Sequence, residues 1–257
     1  IISVLTAAAL ATVVAACGSS SDSSSSSSSG GGSSAAAGSG SASGTLNGSG
    51  SSLQLAFQQA AIEAYKSVNP KLTINYGGGG SGKGRTDLAA GTVNFAGSDS
   101  PIPSKEASGF TGKTILYFPV IIGPITMAYN LSGVSNLKLS PATIAGIFSG
   151  KIKTWNDPAI KADNSGANLP STAITLAVRS DSSGTTANFT EFLVEATGSA
   201  WSLGSSSTIK WPSSARAASG NPGVAQVVKS TPGAIGYVDY STAKASGLTF
   251  ASVKNKD

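Results

Sequence analysis

From residue 45 onward, short apolar runs rich in β-branched residues alternate with longer segments whose apolar residues recur at helical spacing. Alternation of this kind is typical of a layered α/β fold. The runs predicted as strands are 45–47, 72–76, 93–96, 117–122, 125–130, 174–178 and 234–238. The segments predicted as helices are 53–68, 141–148, 185–194 and 223–229, several of them preceded by Ser or Thr caps.

The first 44 residues follow a different pattern. Residues 1–16 form an apolar run that ends in small residues before Cys17, the single cysteine, and Ser, Gly and Ala dominate 18–44. The junction resembles the lipobox of bacterial lipoproteins, in which the cysteine is lipidated and becomes the mature N-terminus. We therefore expect a signal peptide at 1–17, a lipid anchor on Cys17 and a disordered tether at 18–44. The alternative, a buried cysteine after a core helix, is disfavoured by the tether directly behind it.

The amino-acid composition excludes several kinds of catalytic and metal-binding site. The chain contains no His, which excludes Ser-His-Asp and Cys-His nucleophiles and zinc sites built from His and Cys. Its 17 Lys and Arg against 12 Asp and Glu give a net charge of +5, without a basic run of five or more residues. This balance favours a small anion over a nucleic acid as the partner.

Three turns made of small residues each lie between a predicted strand and a predicted helix, at 48–52, 79–82 and 179–186. Such turns present backbone N–H groups and hydroxyls at the positive end of a helix dipole, which is what an oxyanion requires. One turn alone is weak evidence because Gly and Ser cap helices in every kind of protein. The second turn is not a nucleotide-binding P-loop, because Lys83 is followed by Gly84 and Arg85 and not by Ser or Thr.

Several stretches in register resemble the substrate-binding lipoprotein of the phosphate ABC transporter. They are 46–52, 76–84, 90–101, 150–158, 179–185 and 231–238, and the resemblance covers the chain from about residue 45 to its end. It implies a two-lobed periplasmic-binding-protein fold (type II), with lobe 1 at 45–128, lobe 2 at 129–237 and a return to lobe 1 at 238–257. Members of this family continue for several helices, so we expect lobe 1 to be truncated at its C-terminal side.

The resemblance also implies a set of phosphate-binding residues. Asp99 would accept the proton that phosphate carries, whereas sulfate has no proton to give and would be repelled. A simple turn cap before Ser100-Pro101 is the alternative for Asp99, and a surface ion pair with Asp181 is the alternative for Arg179. The implied site residues are Ser52, Leu53, Ser81, Asp99, Arg179, Ser183, Gly184 and Thr185, whereas Trp155, Trp201, Trp211, Tyr237 and Tyr240 are interpreted as packing residues.

The function implied is the capture of inorganic phosphate outside the cytoplasmic membrane and its delivery to an ABC permease. We expect a monomer without metal, cofactor or nucleic acid, which binds without turnover. Three alternatives remain open at this point: a receptor for sulfate, molybdate or arsenate, a phosphoester hydrolase using Asp99, Asp181 or Ser183, and a surface lipoprotein that reuses the fold.

Overall fold

A computed structural model describes residues 42–255. The predicted signal peptide, Cys17 and the predicted tether up to residue 41 lie outside the described residues. The tether prediction extends slightly too far, because Gly44 is already the first residue of a strand. Among the described residues, no helix is both long enough and apolar enough to cross a membrane.

A smaller lobe is formed around three parallel strands, β1 (Gly44–Gly50), β2 (Leu72–Gly77) and β3 (Phe95–Gly97), in the order β2-β1-β3. Helix α1 (Leu55–Lys66) follows β1, and helix α2 (Ser81–Ala90) follows β2. In register, Ser49 of β1 lies opposite Gly77 of β2 and Ala96 of β3. The three strands therefore end at one edge, where the loops that follow them meet.

A larger lobe is formed around a six-stranded sheet. Its strands are β4 (Ile125–Tyr129), β5 (Lys138–Leu139), β6 (Thr175–Arg179), β7 (Arg216–Ala218), β8 (Ala234–Asp239) and β9 (Thr249–Val253), in the order β5-β9-β4-β8-β6-β7. Its helices are α3 (Pro141–Phe148), α4 (Pro158–Asp163), α5 (Gly184–Thr197), α6 (Gly220–Ser230) and α7 (Tyr240–Ala245). Strands β6, β7 and β8 run parallel, whereas β4 is antiparallel to β8. The α/β class expected from the alternating pattern is confirmed.

The core lies on both faces of the larger sheet. On one face, Tyr237 of β8 stacks on Phe189 of α5 with ring centroids 4.6 Å apart, and Phe148 of α3 meets Phe189 edge-on at 4.8 Å. Burial of these aromatic side chains fixes α5 against the sheet. Trp155, Trp201 and Tyr237 are buried as predicted, whereas Tyr240 is 42% exposed.

The sheet pairing differs from the predicted lobe boundaries. Strand β4 pairs with β8 and β9, so the larger lobe begins at Ile125 and not at residue 129. The stretch 238–257 was expected to return to lobe 1, but its described strand β9 pairs with β4 and β5 in the larger sheet. A sequence pattern marks a strand without naming its neighbours, which is why the assignment to a lobe was wrong.

One predicted strand is absent from the described part of the chain. Residues 117–122 form no ladder, and they leave Phe118 74% and Ile122 99% exposed. The neighbouring residues 114–120 line an open cavity of about 720 Å³ on the smaller lobe. An apolar run of this length becomes a strand only where an adjacent strand offers hydrogen-bonding partners, and none of the described strands lies beside it.

Candidate functional site

The loop after β1 carries the first group of polar side chains. Ser51 donates its hydroxyl proton to Oδ1 of Asp99 and accepts the N–H of Leu53 at 3.1 Å. Ser52 points elsewhere, since its Oγ accepts the backbone N–H of Asn221 at 3.0 Å across the gap between the lobes. Ser52 therefore lies where the two lobes meet, whereas the Leu53 N–H is bound by the Ser51 hydroxyl.

The loop after β2 leads into α2 through Ser81, which is fully buried. Its Oγ donates to Oδ2 of Asp99 at 3.4 Å and accepts the Asp99 N–H at 3.2 Å. Gly80 precedes it with φ +92°, and its N–H donates to the carbonyl of Gly50 at 2.9 Å. Because a positive φ is costly for residues with a side chain, glycine suits this turn.

Asp99 follows β3 at the same edge, where both of its oxygens receive hydroxyl donors from the two other loops. Burial raises the pKa of its carboxyl, while the Ser51 hydrogen bond and the charge of Arg179 act in the opposite direction. Burial and the charge of Asp99 together also raise the pKa of Tyr76. Asp99 is therefore the centre of a polar cluster, which goes beyond the role of a turn cap.

On the larger lobe, Arg179 ends β6 with its side chain 1% exposed. Its Nε donates to Oδ1 of Asp181 at 2.8 Å, and Nη2 binds the other oxygen. Burial acts to raise the pKa of Asp181, but the hydrogen bond and charge of Arg179, with the N–H of Gly220, leave it lowered. A bidentate pair this deeply buried is not the surface ion pair considered as the alternative.

Helix α5 begins beside this pair. Ser183 is its N-cap, with Oγ accepting the Thr186 N–H at 3.1 Å, and Gly184 and Thr185 form its first turn. Ser183 and Thr185 are both fully buried. Because Gly184 lies against Ser81 and Asp99, the positive end of the helix faces the smaller lobe with Gly184 and Thr185 at its tip.

The two lobes touch at this point. Gly82 donates its N–H to the carbonyl of Ser182 at 3.0 Å, and Nδ2 of Asn188 donates to the carbonyl of Asp99 at 3.0 Å. A Cβ at Gly184 would lie 2.5 Å from Ser81 Oγ and 2.7 Å from the Cβ of Asp99. The structure thus brings the predicted site residues of both lobes, from Ser52 to Thr185, into one interlobe cluster.

The two cations beside the second turn are both paired. Lys83 binds Asp87 one helical turn away and keeps its side chain 54% exposed. Arg85 is buried, and its Nε donates to Glu106 at 2.6 Å while Nη1 donates to Ser98 Oγ at 3.0 Å. Both charges are therefore engaged by carboxylates, and Arg179 is the cation whose charge acts on Asp99.

Sequence reasoning left several residues of the cluster out of the predicted site, among them Ser51, Asn221 and Tyr237. Asn221 is fully buried between Ser52 and Thr185, although the predicted helix started only at residue 223. The hydroxyl of Tyr237 accepts the Arg179 N–H at 3.1 Å and lies 2.7 Å from Thr186 Oγ1, whereas Tyr237 was interpreted only as a packing residue. The dipeptide Gly220-Asn221 directly before Pro222 was an available signal for a helix start.

The arrangement brings hydroxyls, helix N-terminal amides, the Arg179 guanidinium and the Asp99 carboxylate together where the two lobes meet, and most of these groups are buried. Such a set can surround a small oxyanion that carries a proton. Within residues 42–255, no three His, Cys, Asp or Glu side chains form a cluster that could hold a metal ion.

Comparison with known proteins assigns the chain to a family. A profile of the PBP superfamily domain matches residues 35–256. The chain belongs to the PBP superfamily. It is 38% identical over 212 residues to the phosphate-binding protein PstS 3 of Mycobacterium leprae. That alignment covers 81% of this chain and 57% of the relative, so the chain spans little more than half of the relative's length.

Other relatives agree with this assignment. The phosphate-binding protein PstS of Pasteurella multocida is 44% identical over 146 residues, which are 55% of this chain and 42% of that protein. The fold of a phosphate-binding protein from Stenotrophomonas maltophilia matches with a TM-score of 0.67 at 24% identity, covering 82% of this chain and 65% of that one. An ABC-type phosphate transport receptor from Vibrio cholerae gives 0.57 at 18% identity, covering 82% and 78%. The resemblance and the periplasmic-binding-protein fold expected from the motifs are confirmed.

Proposed function

We propose that this PBP superfamily member binds inorganic phosphate outside the cytoplasmic membrane and delivers it to the permease of an ABC importer. The main support for the proposal is the position of the Asp99 carboxylate. It accepts hydrogen bonds from Ser51 and Ser81 and interacts electrostatically with Arg179. A buried carboxylate in an anion site is favourable only if the anion brings a proton for it to accept. Phosphate does so at neutral pH and sulfate does not.

The remaining contacts follow from the geometry. Arg179, oriented by Asp181, supplies the positive charge, and the first amides of α5 supply donors at Gly184 and Thr185. Ser52 and Ser81 contribute hydroxyls from the smaller lobe. Since the donors come from both lobes, the anion is bound fully only when the lobes approach each other, as they do in this structure.

We infer binding without chemical turnover. Of the groups left to act as a nucleophile or base, Ser183 Oγ already caps α5, and the Asp181 carboxylate is occupied by Arg179. We expect release of phosphate from p-nitrophenyl phosphate to stay at the buffer rate, and turnover above that rate that is lost in Ser183→Ala would contradict this part of the proposal.

The proposal extends to location and assembly. We propose that Cys17 is the site of a diacylglycerol anchor, that residues 18–43 act as the tether, and that the receptor is a monomer. The support is the lipobox-like sequence Val14-Ala15-Ala16-Cys17. Metabolic labelling with a radioactive fatty acid should mark the wild-type protein and leave Cys17→Ser unlabelled, whereas equal labelling of both would contradict the anchor.

Isothermal titration of the purified protein with phosphate and then with sulfate tests the central claim. We expect one phosphate per chain, no heat from sulfate, and loss of phosphate binding in Arg179→Ala. Lys83→Ala is the matched control, since Lys83 is a cation on the same turn as Ser81 but is paired with Asp87 and exposed. A folded protein that ignores phosphate and binds sulfate or molybdate would replace the proposal with a receptor for that anion, and binding of no anion would overturn it.

A further inference from the structure

Asn221 lies in the first turn of α6 and is fully buried where the two lobes meet. Its Nδ2 donates to Ser52 Oγ of the smaller lobe at 3.2 Å and to Thr185 Oγ1 of the larger lobe at 3.1 Å. Its backbone N–H also donates to Ser52 Oγ, at 3.0 Å. One side chain therefore connects two hydroxyls that belong to the anion site proposed above.

The direction of these hydrogen bonds determines what the hydroxyls can offer. A serine or threonine hydroxyl has two acceptor lone pairs and one proton to donate. Both lone pairs of Ser52 Oγ are used by Asn221, and one of Thr185 Oγ1 is used as well. The proton of each hydroxyl is thereby left to point away from Asn221, which is the polarity that an oxyanion requires.

The other end of the amide supports the same interpretation. Asn221 Oδ1 is buried and has no hydrogen-bond partner in the described structure. A buried polar atom without a partner is uncommon and destabilising, so its retention calls for a reason. The opposite amide orientation would let Oδ1 accept the protons of Ser52 and Thr185, and both hydroxyls would then be lost as donors to an anion.

We propose that Asn221 is a positioning residue of the anion site, which holds the hydroxyls of Ser52 and Thr185 as hydrogen-bond donors toward the bound anion. The proposal rests on the proposed phosphate function and adds to it a residue that the sequence resemblance did not provide. Asn221 acts here through the two hydroxyls and needs no contact of its own with the anion.

A double-mutant cycle measured by phosphate titration tests the proposal. We expect Asn221→Ala to weaken phosphate binding about tenfold or more, because the Thr185 hydroxyl loses its fixed orientation. Thr185→Val removes that hydroxyl directly. If Asn221 acts through Thr185, the double variant should bind phosphate with nearly the same affinity as whichever single variant binds it less tightly. Losses that multiply would overturn the proposal, because a general structural role predicts independent effects.

A second variant reverses the polarity with little change of shape. In Asn221→Asp the carboxylate has no protons to donate and draws those of Ser52 and Thr185, so we expect a loss of about a hundredfold or more. Gln226→Glu is the matched control, an amide-to-acid change at an exposed position of the same helix, and should stay within about twofold. An Asn221→Asp protein with unchanged affinity would contradict the proposal.

Two controls keep the outcomes separate. Unfolding in urea shows whether each variant is folded under the conditions of the titration. If Asn221→Asp does not fold, the double-mutant cycle of Asn221→Ala with Thr185→Val tests the role of Asn221 by itself. Wild-type protein is titrated in parallel. If the wild type fails to bind phosphate, the proposed function is wrong, whereas wild-type binding with an unaffected Asn221→Ala variant overturns the role of Asn221 alone.

Discussion

Gly184 and Asp99 lie on different lobes, and a Cβ at Gly184 would come within 2.7 Å of the Cβ of Asp99 and 2.8 Å of its Oδ2. Real Cβ atoms do not approach other atoms so closely, and Asp99 is held in place by Ser51 and Ser81. The absence of a side chain at the tip of α5 is therefore what lets the helix N-terminus reach the carboxylate.

Gly184→Ala should keep the lobes from reaching this separation. We expect phosphate affinity to fall at least about tenfold, with little change in the free energy of unfolding, because each lobe can still fold around its own sheet. Titration calorimetry and urea unfolding measure the two effects. Gly77→Ala is the control, since a Cβ there meets no atom within 4 Å and should leave binding unchanged. Normal affinity in Gly184→Ala would show that the lobes need not approach this closely.

Asp99→Asn should change which anion is bound. Asn cannot accept the phosphate proton with a charged oxygen, so we expect phosphate affinity to drop about tenfold or more and sulfate binding to become measurable. Titration of the wild type and of Asp99→Asn with both anions at neutral pH checks this. The idea fails if the variant loses phosphate without any gain for sulfate.

Asp99 also makes the unliganded protein sensitive to pH. Because burial raises the pKa of the Asp99 carboxyl, the ionised form destabilises the folded state above that raised pKa. Without phosphate, Asp99→Asn should therefore have the larger free energy of unfolding at neutral pH. Its advantage should shrink as the pH falls from the raised pKa toward the ordinary Asp range, and vanish below it. Urea unfolding at a series of pH values measures the difference, and a constant difference would contradict the assignment.

Asp181→Asn should lower the free energy of unfolding at neutral pH, whereas Asp99→Asn should raise it. The pKa of Asp181 is lowered by Arg179 against the effect of burial, so the carboxylate stabilises the folded state at neutral pH. Leaving the buried Arg179 charge unpaired should cost about 3 kcal/mol of the free energy of unfolding. This loss should shrink as the pH falls through the ordinary Asp range to the lowered pKa. Glu63→Gln, from the exposed pair with Lys66, serves as the control and should change little.

Tyr237→Phe separates packing from hydrogen bonding. The ring of Tyr237 stacks on Phe189, while its hydroxyl accepts the Arg179 N–H and bonds Thr186. Removing only the oxygen should lower the free energy of unfolding by about 1–3 kcal/mol, because two buried groups lose their partner. Tyr240→Phe, at an exposed tyrosine, should have a small effect in the same thermal or urea unfolding experiment. Equal effects of the two substitutions would show that the buried hydroxyl contributes little.

The sequence by itself predicted the α/β class, the position of four of the seven described α-helices and a set of candidate site residues. Helix 141–148 was predicted to the residue, because Ser140-Pro141 is a strong local start signal. The turns carrying Ser52, Ser81 and Ser183 were found because small residues between a strand and a helix act through local backbone geometry, which neighbouring residues in the chain decide.

The tertiary structure alone decided which strands pair and which side chains meet. Strand β9 pairs with β4 from more than a hundred residues away, and the run 117–122 stays unpaired although its pattern resembles a strand. Asn221 reaches Ser52, 169 positions earlier in the chain, only because α6 and the loop after β1 are packed together. Hydrogen bonds between residues so far apart depend on how the sheets close around them, and no local pattern of residues encodes that distance.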